Sequence, residues 1–466
     1  MQDRQRLTRF PRDRHAQKRH SKIGDKACGT VLVNVPNGPK GQVDSRRFLM
    51  LQGPHGPFFR QLAAQLEAGG HQVWRVGFNR GDEIFWRRPG YVAFTASQSR
   101  WPETCAKLLT RLRITDLVLY GDTRPIHAEA IRLARKQGLR IHVFEEGYLR
   151  PYWVTYERDG SNGNSTLMAA SISSMRQALR HPGLDDPPPP GHWGDMREHM
   201  FYGALYHFCV MTLNRKYPNF RPHRDISVVQ EFRLHLRRLL LRPWHQIERL
   251  LANARIKWGG FPFHTVLLQL EHDASFQAHS DFRSGLEFID VCLTAFAEGA
   301  PVGHHLVFKT HPLEDGRLDV KRAVRNGADR HGLGHRVHFV RGGKLAPLLN
   351  RTLSAVTVNS TAGQQVLWRG LPLRIFGRAI YGKPELVSAQ TLKEFFSAPA
   401  RPDRESYQVF RQFLLETSQL AGGYYSESGR RRLLALVAKR MLLTESPYAV
   451  LDQMTGAALQ QLAVAE

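Results

Sequence analysis

Between Arg47 and Phe144 short apolar runs alternate with amphipathic stretches, and that alternation most restricts what this chain can fold into. RFLMLQGPHG, from Arg47, is an apolar run closed by a Gly/Pro turn, and FFRQLAAQLEAGG follows with Phe58, Leu62 and Leu66 at helical spacing. QVWRVGF, WPETCAKLLTRL, ITDLVLYG, HAEAIRLARKQG and LRIHVF then repeat strand, helix, strand, helix, strand. Such an order predicts a parallel sheet with helices on both faces, closing a first domain near residue 170.

DDPPPPGHWGD, from Asp185, breaks regular structure, because four consecutive prolines fix φ and remove four amide donors. A linker is expected there, followed by a basic helical stretch from Tyr202 to Lys257. FHTVLLQLEHD, HLVFKTHP, RVHFV, LSAVTVNS and LPLRIF supply a second series of strands. ESYQVFRQFLLETSQL and RRRLLALVAKRML read as amphipathic helices that cap one or both domains. The expected boundaries are a basic, disordered tail over 1–46, a first α/β domain over 47–180, the linker and basic helices over 181–260, a second α/β domain over 261–395 and C-terminal helices over 396–466.

No apolar run approaches the roughly 18 to 20 residues that cross a bilayer, and the first residues lack the apolar core of a secretory leader. A cytoplasmic protein is expected. Cys28, Cys105, Cys209 and Cys292 form no CxxC pair and are read as plain thiols. The excess of 66 Lys and Arg over 41 Asp and Glu, a net charge of +25, points to an anionic partner. Nucleic-acid binding has that charge, but no RNP, zinc-finger or helix-turn-helix pattern accompanies it.

Candidate chemistry sits where strands end. FEEGYLRPYWVTYERDG, from Phe144 to Gly160, puts Glu145, Glu146 and Arg150 behind an apolar run, with Tyr152 and Trp153 able to stack on a sugar or fill the core. Adjacent strand residues face opposite ways, so only one of the two glutamates is expected to do chemistry in a given cleft. In FKTHPLEDG, Lys309 and His311 suit binding and protonation of a departing phosphate. VNSTAGQQVLWRG leads into a helix whose first turn, Ser360 to Gly363, is expected to hold a phosphate through its amides and the hydroxyls of Ser360 and Thr361.

QGPHGPFF, with Gln52 and His55, is a glycine-rich turn without the signature of an ATP or dinucleotide loop; His55 is either an acceptor-side base or a turn residue. In GDTRP, Asp122 and Arg124 pair with each other or meet a sugar. QLEHDAS carries Gln269, Glu271, His272 and Asp273; without HExxH or DxD, sugar hydrogen bonding is favoured over a metal, and no metal or cofactor is expected.

Composition and periodicity leave open a transferase, an epimerase or a binding protein. LQGPHGPFF, FEEGYLRPYW, FKTHP and VNSTAG, in that order across roughly Phe48 to Leu386, closely resemble the S-type capsule polysaccharide biosynthesis/export proteins. That resemblance implies two Rossmann-like domains facing a cleft (GT-B type), and a retaining β-Kdo glycosyltransferase moving Kdo from CMP-Kdo to a phosphatidylglycerol-type lipid. Arg150 would meet the Kdo carboxylate, and Lys309, His311, Ser360, Thr361 and Gln269 would form the donor side. Gln52, His55 and Asp122 would form the acceptor side. Related C-type Kdo transferases carry Glu-Asp-Gly at this strand end, so their nucleophilic aspartate falls on Glu146, a methylene longer here. The rival is a non-catalytic anionic-glycolipid binding protein that assists export with other capsule-assembly proteins.

A lipid acceptor requires a route to the inner face of the cytoplasmic membrane. Arg215 to Lys257 holds eleven Lys or Arg against three acids, with Phe232, Leu236, Leu239, Leu240 and Trp244 beside Arg233, Arg237, Arg238 and Arg242. That pattern predicts peripheral, salt-sensitive binding to an anionic surface.

Overall fold

A computed structural model describes residues 45–451 apart from 152, 180–195, 222–229, 231, 232, 235, 236, 238, 239, 272, 313, 315 and 450. The basic tail, the four-proline segment, Tyr152, His272, Phe232, Leu236, Arg238 and Leu239 therefore lie outside the described residues.

The first half runs β1 (Arg47–Met50), α1 (Phe58–Ala68), β2 (Gln72–Gly77), α2 (Arg80–Trp86), β3 (Tyr91–Ala93), α3 (Trp101–Arg111), β4 (Asp116–Tyr120), α4 (Pro125–Lys136), β5 (Arg140–Glu146), β6 (Trp153–Arg158) and α5 (Ile172–Ala178). Helix α6 (Met196–Thr212) packs on α2, and α7 (Arg242–Gly259) packs on the second sheet. That sheet comprises β7 (Phe263–Leu267), β8 (His305–Lys309), β9 (Val337–Val340), β10 (Ser354–Thr357) and β11 (Leu373–Ile375). Its helices include α8 (Ala274–Ala278), α9 (Gly285–Gly299), α10 (Val320–Arg330), α11 (Ala346–Leu349), α12 (Gly363–Leu367) and α13 (Leu392–Ser397). The chain closes with α14 (Arg404–Thr417), β12 (Gln419–Ala421) and α15 (Glu427–Leu442).

The sheet orders are β12-β6-β5-β4-β1-β2-β3 and β11-β10-β7-β8-β9. Each contains one five-strand parallel pattern, third, second, first, fourth, fifth, which is the doubly wound Rossmann order. The expected α/β class with two Rossmann-like halves is thus what the chain adopts. Strand periodicity builds the core directly. Phe48 and Met50 enter one apolar layer of the first sheet, whereas Leu49 and Leu51 enter the other.

Two features depart from the expected all-parallel alternation. The apolar run at Ile141 does not end at Phe144; β5 continues through Glu146, turns, and pairs antiparallel with β6, with Glu145 opposite Thr155 and Glu146 opposite Val154. Strand β12 then adds antiparallel to β6, and α15 packs on α1, so the C-terminus returns to the first sheet. The third difference lies at Ser360. The described helix begins at Gly363, and the Ser360 Oγ accepts from the Ala362 amide at 3.2 Å, closing a tight turn where a helical first turn was expected.

Candidate active site

In a doubly wound sheet a crevice opens beyond the strand C-termini where the order reverses, between the first and fourth strands. Here those points are β1/β4 and β7/β10. Gln52 and His55 follow β1 and Asp122 follows β4; Gln269 follows β7, while Ser360 and Thr361 follow β10. These six predicted residues therefore sit at the two strand-order reversals.

At the first crevice Glu146 is held by side chains from distant parts of the chain. Its Oε1 accepts from the Tyr120 hydroxyl at 3.1 Å and from the Tyr425 hydroxyl at 3.3 Å. The Tyr425 ring lies 4.0 Å from that of His199 on α6. The Tyr424 hydroxyl donates to the Glu145 carbonyl at 2.9 Å, fixing the end of β5. Burial first, then the neighbouring carboxylates, raises all three phenols well above their ordinary value, so they remain protonated donors.

Glu145 meets different partners. Its Oε1 accepts from the Glu146 amide at 2.9 Å. Burial, reinforced by repulsion from Glu146 and from Asp273 of the second half, pushes its carboxyl up to about 7, against the pull of the Glu146 amide and Arg150. A carboxyl poised near neutrality in a crevice is suited to accept or donate a proton. Arg150 is exposed and its Nε donates to the Gly147 carbonyl at 3.2 Å.

The other first-half candidates are engaged within the protein. Gln52 donates to Asp82 at 3.1 Å and accepts from Arg124 at 3.3 Å, while Asp82 also pairs with Arg75 at 3.3 Å. Asp122 accepts from the Ser161 amide at 2.8 Å and from Asn164 at 3.2 Å, and does not pair with Arg124. His55 stacks on Tyr206 of α6 at 4.3 Å.

At the second crevice Gln269 exchanges two hydrogen bonds with Asn359, donating at 2.8 Å and accepting from its amide at 2.9 Å. Lys309 is buried and donates to the Thr310 carbonyl at 2.9 Å; burial, then Arg249, lowers its ammonium to about 8. His311 stands half-buried just beyond β8. Thr361 lines a small cavity together with Tyr148 and Arg378, and Arg378 donates to the Gly163 carbonyl at 2.6 Å, so the two halves meet here. A larger cavity of about 350 Å³ lies beside it, lined by Asp122, Arg135, Asn164 and Arg378 among others. Among the described residues no group of three or more His, Cys, Asp or Glu is arranged to hold a metal.

A model of the capsule polysaccharide biosynthesis protein family matches residues 115–425, which include Glu146, the second crevice and Tyr425. The chain belongs to this family. Family relatives include a capsule polysaccharide modification protein, LipB, of Neisseria meningitidis, 33% identical over 82% of this chain and 92% of that one. The capsule polysaccharide export protein KpsS of Escherichia coli is 29% identical over 82% of this chain and 98% of that one. Among solved structures, the β-Kdo 2,7 transferase KpsC of Thermosulfurimonas dismutans aligns at 11% identity and a TM-score of 0.40, over 84% of this chain and all of that one.

Tyr120, His199, Tyr424 and Tyr425 are the site residues that sequence reasoning missed. Tyr120 is the last residue of a strand already identified, and strand ends were the signal to follow. Nothing local marks Tyr425, whose contact with Glu146 spans 279 residues.

Proposed function

We propose that this family member is a retaining β-Kdo glycosyltransferase that moves Kdo from CMP-Kdo to a phosphatidylglycerol-type lipid at the inner face of the cytoplasmic membrane, beginning a glycolipid anchor for capsular polysaccharide. The observation that carries the reading is the Glu145–Glu146 pair at a crevice mouth, one carboxylate gripped by two phenol donors and the other poised near pH 7.

Glu146 attacks the anomeric carbon of Kdo while the bond from that carbon to the phosphate oxygen breaks, and CMP leaves with the electron pair as a phosphate monoester. Lys309 ends β8 and His311 lies just beyond it, and both serve the charge that grows on the departing phosphate. The acceptor hydroxyl then attacks the same carbon, its proton passes through water to a nearby base, and the ester to Glu146 is released with net retention. Tyr120 and Tyr425 orient the nucleophile rather than react. No metal or cofactor enters this scheme.

Purified protein incubated with CMP-Kdo and a phosphatidylglycerol-type lipid should yield lipid heavier by at least one Kdo residue. Lipid bound but unchanged in mass, with CMP-Kdo intact, would favour the non-catalytic glycolipid carrier instead.

A further inference from the structure

Helix α6 has two unlike faces. Inward it supplies His199 against Tyr425 and Tyr206 against His55, so it covers the mouth of the Glu146 crevice. Outward it shows Met200, Phe201 and Phe208, the last two at 61% and 52% exposure. Helix α7 repeats the pattern on the second half. Ile256 is buried and Glu248 is paired with Lys321 and Arg341, whereas Trp244, Ile247, Leu251 and Trp258 are turned to solvent, the two tryptophans at 66% and 79% exposure. Leu240 to Trp258 falls at i, i+4, i+7, i+11 and i+18, one continuous stripe.

Soluble surfaces seldom leave large aromatic side chains in such a row without something to cover them. The chemistry around the stripe says what covers it. Arg237, Arg242, Arg255 and Lys257 are exposed beside it, while Glu198 and Glu248, acids of these two helices, are each paired with a basic side chain. Apolar aromatics flanked by uncompensated cations match the interface of an anionic bilayer, where indole rings settle at headgroup level.

We infer that the outer faces of α6 and α7 together form the docking surface for an anionic lipid bilayer, with α6 placed so that a lipid acceptor enters beneath it toward Glu146. This deepens the lipid-acceptor reading and rests on it only for the direction of entry. Of the residues expected to make this contact, Leu240 and Trp244 are exposed on the α7 side, and Phe232, Leu236 and Leu239 lie outside the described residues.

The test is flotation of the full chain with sugar-free vesicles of phosphatidylcholine, with or without phosphatidylglycerol, so that binding is read apart from transfer. The parent should float with the anionic vesicles and lose binding in high salt. Trp244→Ser with Trp258→Ser, and separately Phe201→Ser with Phe208→Ser, should each reduce binding roughly tenfold while the melting temperature stays unchanged. Arg242→Gln with Arg255→Gln leaves the apolar stripe intact and should weaken binding to anionic vesicles alone, which covers the case of a serine variant that fails to fold. Flotation of all variants equal to the parent, or no flotation of the parent, overturns the proposal. So does sedimentation showing that the serine variants convert a dimer to monomer with flotation unchanged, because a second copy would then cover the stripe. A failed glycosyl-transfer assay alongside normal flotation would sink the enzymatic reading and leave this surface standing.

Discussion

At the N-terminal edge of the first sheet Asp116 accepts from His142 at 2.8 Å, His142 reaches the Tyr156 hydroxyl at 2.8 Å, and Arg158 donates to that hydroxyl at 3.0 Å. At the opposite edge of the same strands, Glu145 and Glu146 are only half-buried and face a crevice. The first set is enclosed, with Asp116 paired to Arg46 and Arg158 donating to the Met441 and Leu443 carbonyls, so its polar groups are engaged within the protein. In the second set two like charges adjoin, and one carboxyl is pushed up to about 7. Titratable groups in one sheet thus divide by edge: paired and sealed where they build the fold, crowded and open where they can react.

The largest expected effect breaks the open edge alone. Glu146→Gln keeps shape and cannot form a glycosyl ester, so transfer should fall on the order of 10⁴-fold or more with a normal melting temperature. Glu145→Gln should be milder, since the acceptor hydroxyl can lose its proton to water. Near-parental turnover in both variants would remove the double displacement from this strand end.

Much of this edge was legible in the sequence. Apolar runs ending in Gly, Pro and charged residues located β1, β4, β5, β8 and β10, and with them Gln52, Asp122, Glu145, Glu146, Lys309 and Ser360. Strand β12 was not, because three residues carry no period and its place is fixed by pairing with β6 more than 250 residues earlier. The grip of Tyr425 on Glu146 depends on that return. Helix α6 was expected as helix from Tyr202 onward, but its facing was hidden: its two faces both carry aromatics, so no amphipathic stripe marks which side packs and which is exposed.

Next in size, Asp116→Ala attacks the sealed edge. It leaves Arg46 and His142 enclosed without their partner and should cost about 3 to 5 kcal/mol of stability by urea denaturation. Loss of transfer without loss of stability in this variant would contradict the division between the edges.

Acid should also find the sealed groups first. Burial holds His142 at about 4 and His338 at about 4, despite Asp116 favouring the charged form of His142. An unfolded histidine titrates near 6.5, so the unfolded chain binds more protons between about 6.5 and 4. The stability from these neutral rings is complete above about pH 6.5 and drains away as pH falls toward 4, by up to a few kcal/mol per ring. Melting temperatures across that window should drop; a flat profile would show that these rings are not buried neutral.

The smallest effect sharpens the role of the distant tyrosine. Tyr425→Phe removes one hydroxyl donor from Glu146 and should cost about 1 kcal/mol, roughly a fivefold loss in transfer, with stability nearly unchanged. A collapse of the fold would instead make Tyr425 a structural residue of the β12 return.

Mass mapping of peptides after brief incubation with CMP-Kdo, in the absence of lipid acceptor, tests the division between the edges most directly. The account predicts one added Kdo residue on the peptide containing the β5 end, localised by fragmentation to Glu146 and missing from Glu146→Gln. An adduct on Glu145, or none from a protein that transfers Kdo normally once lipid is added, would contradict it.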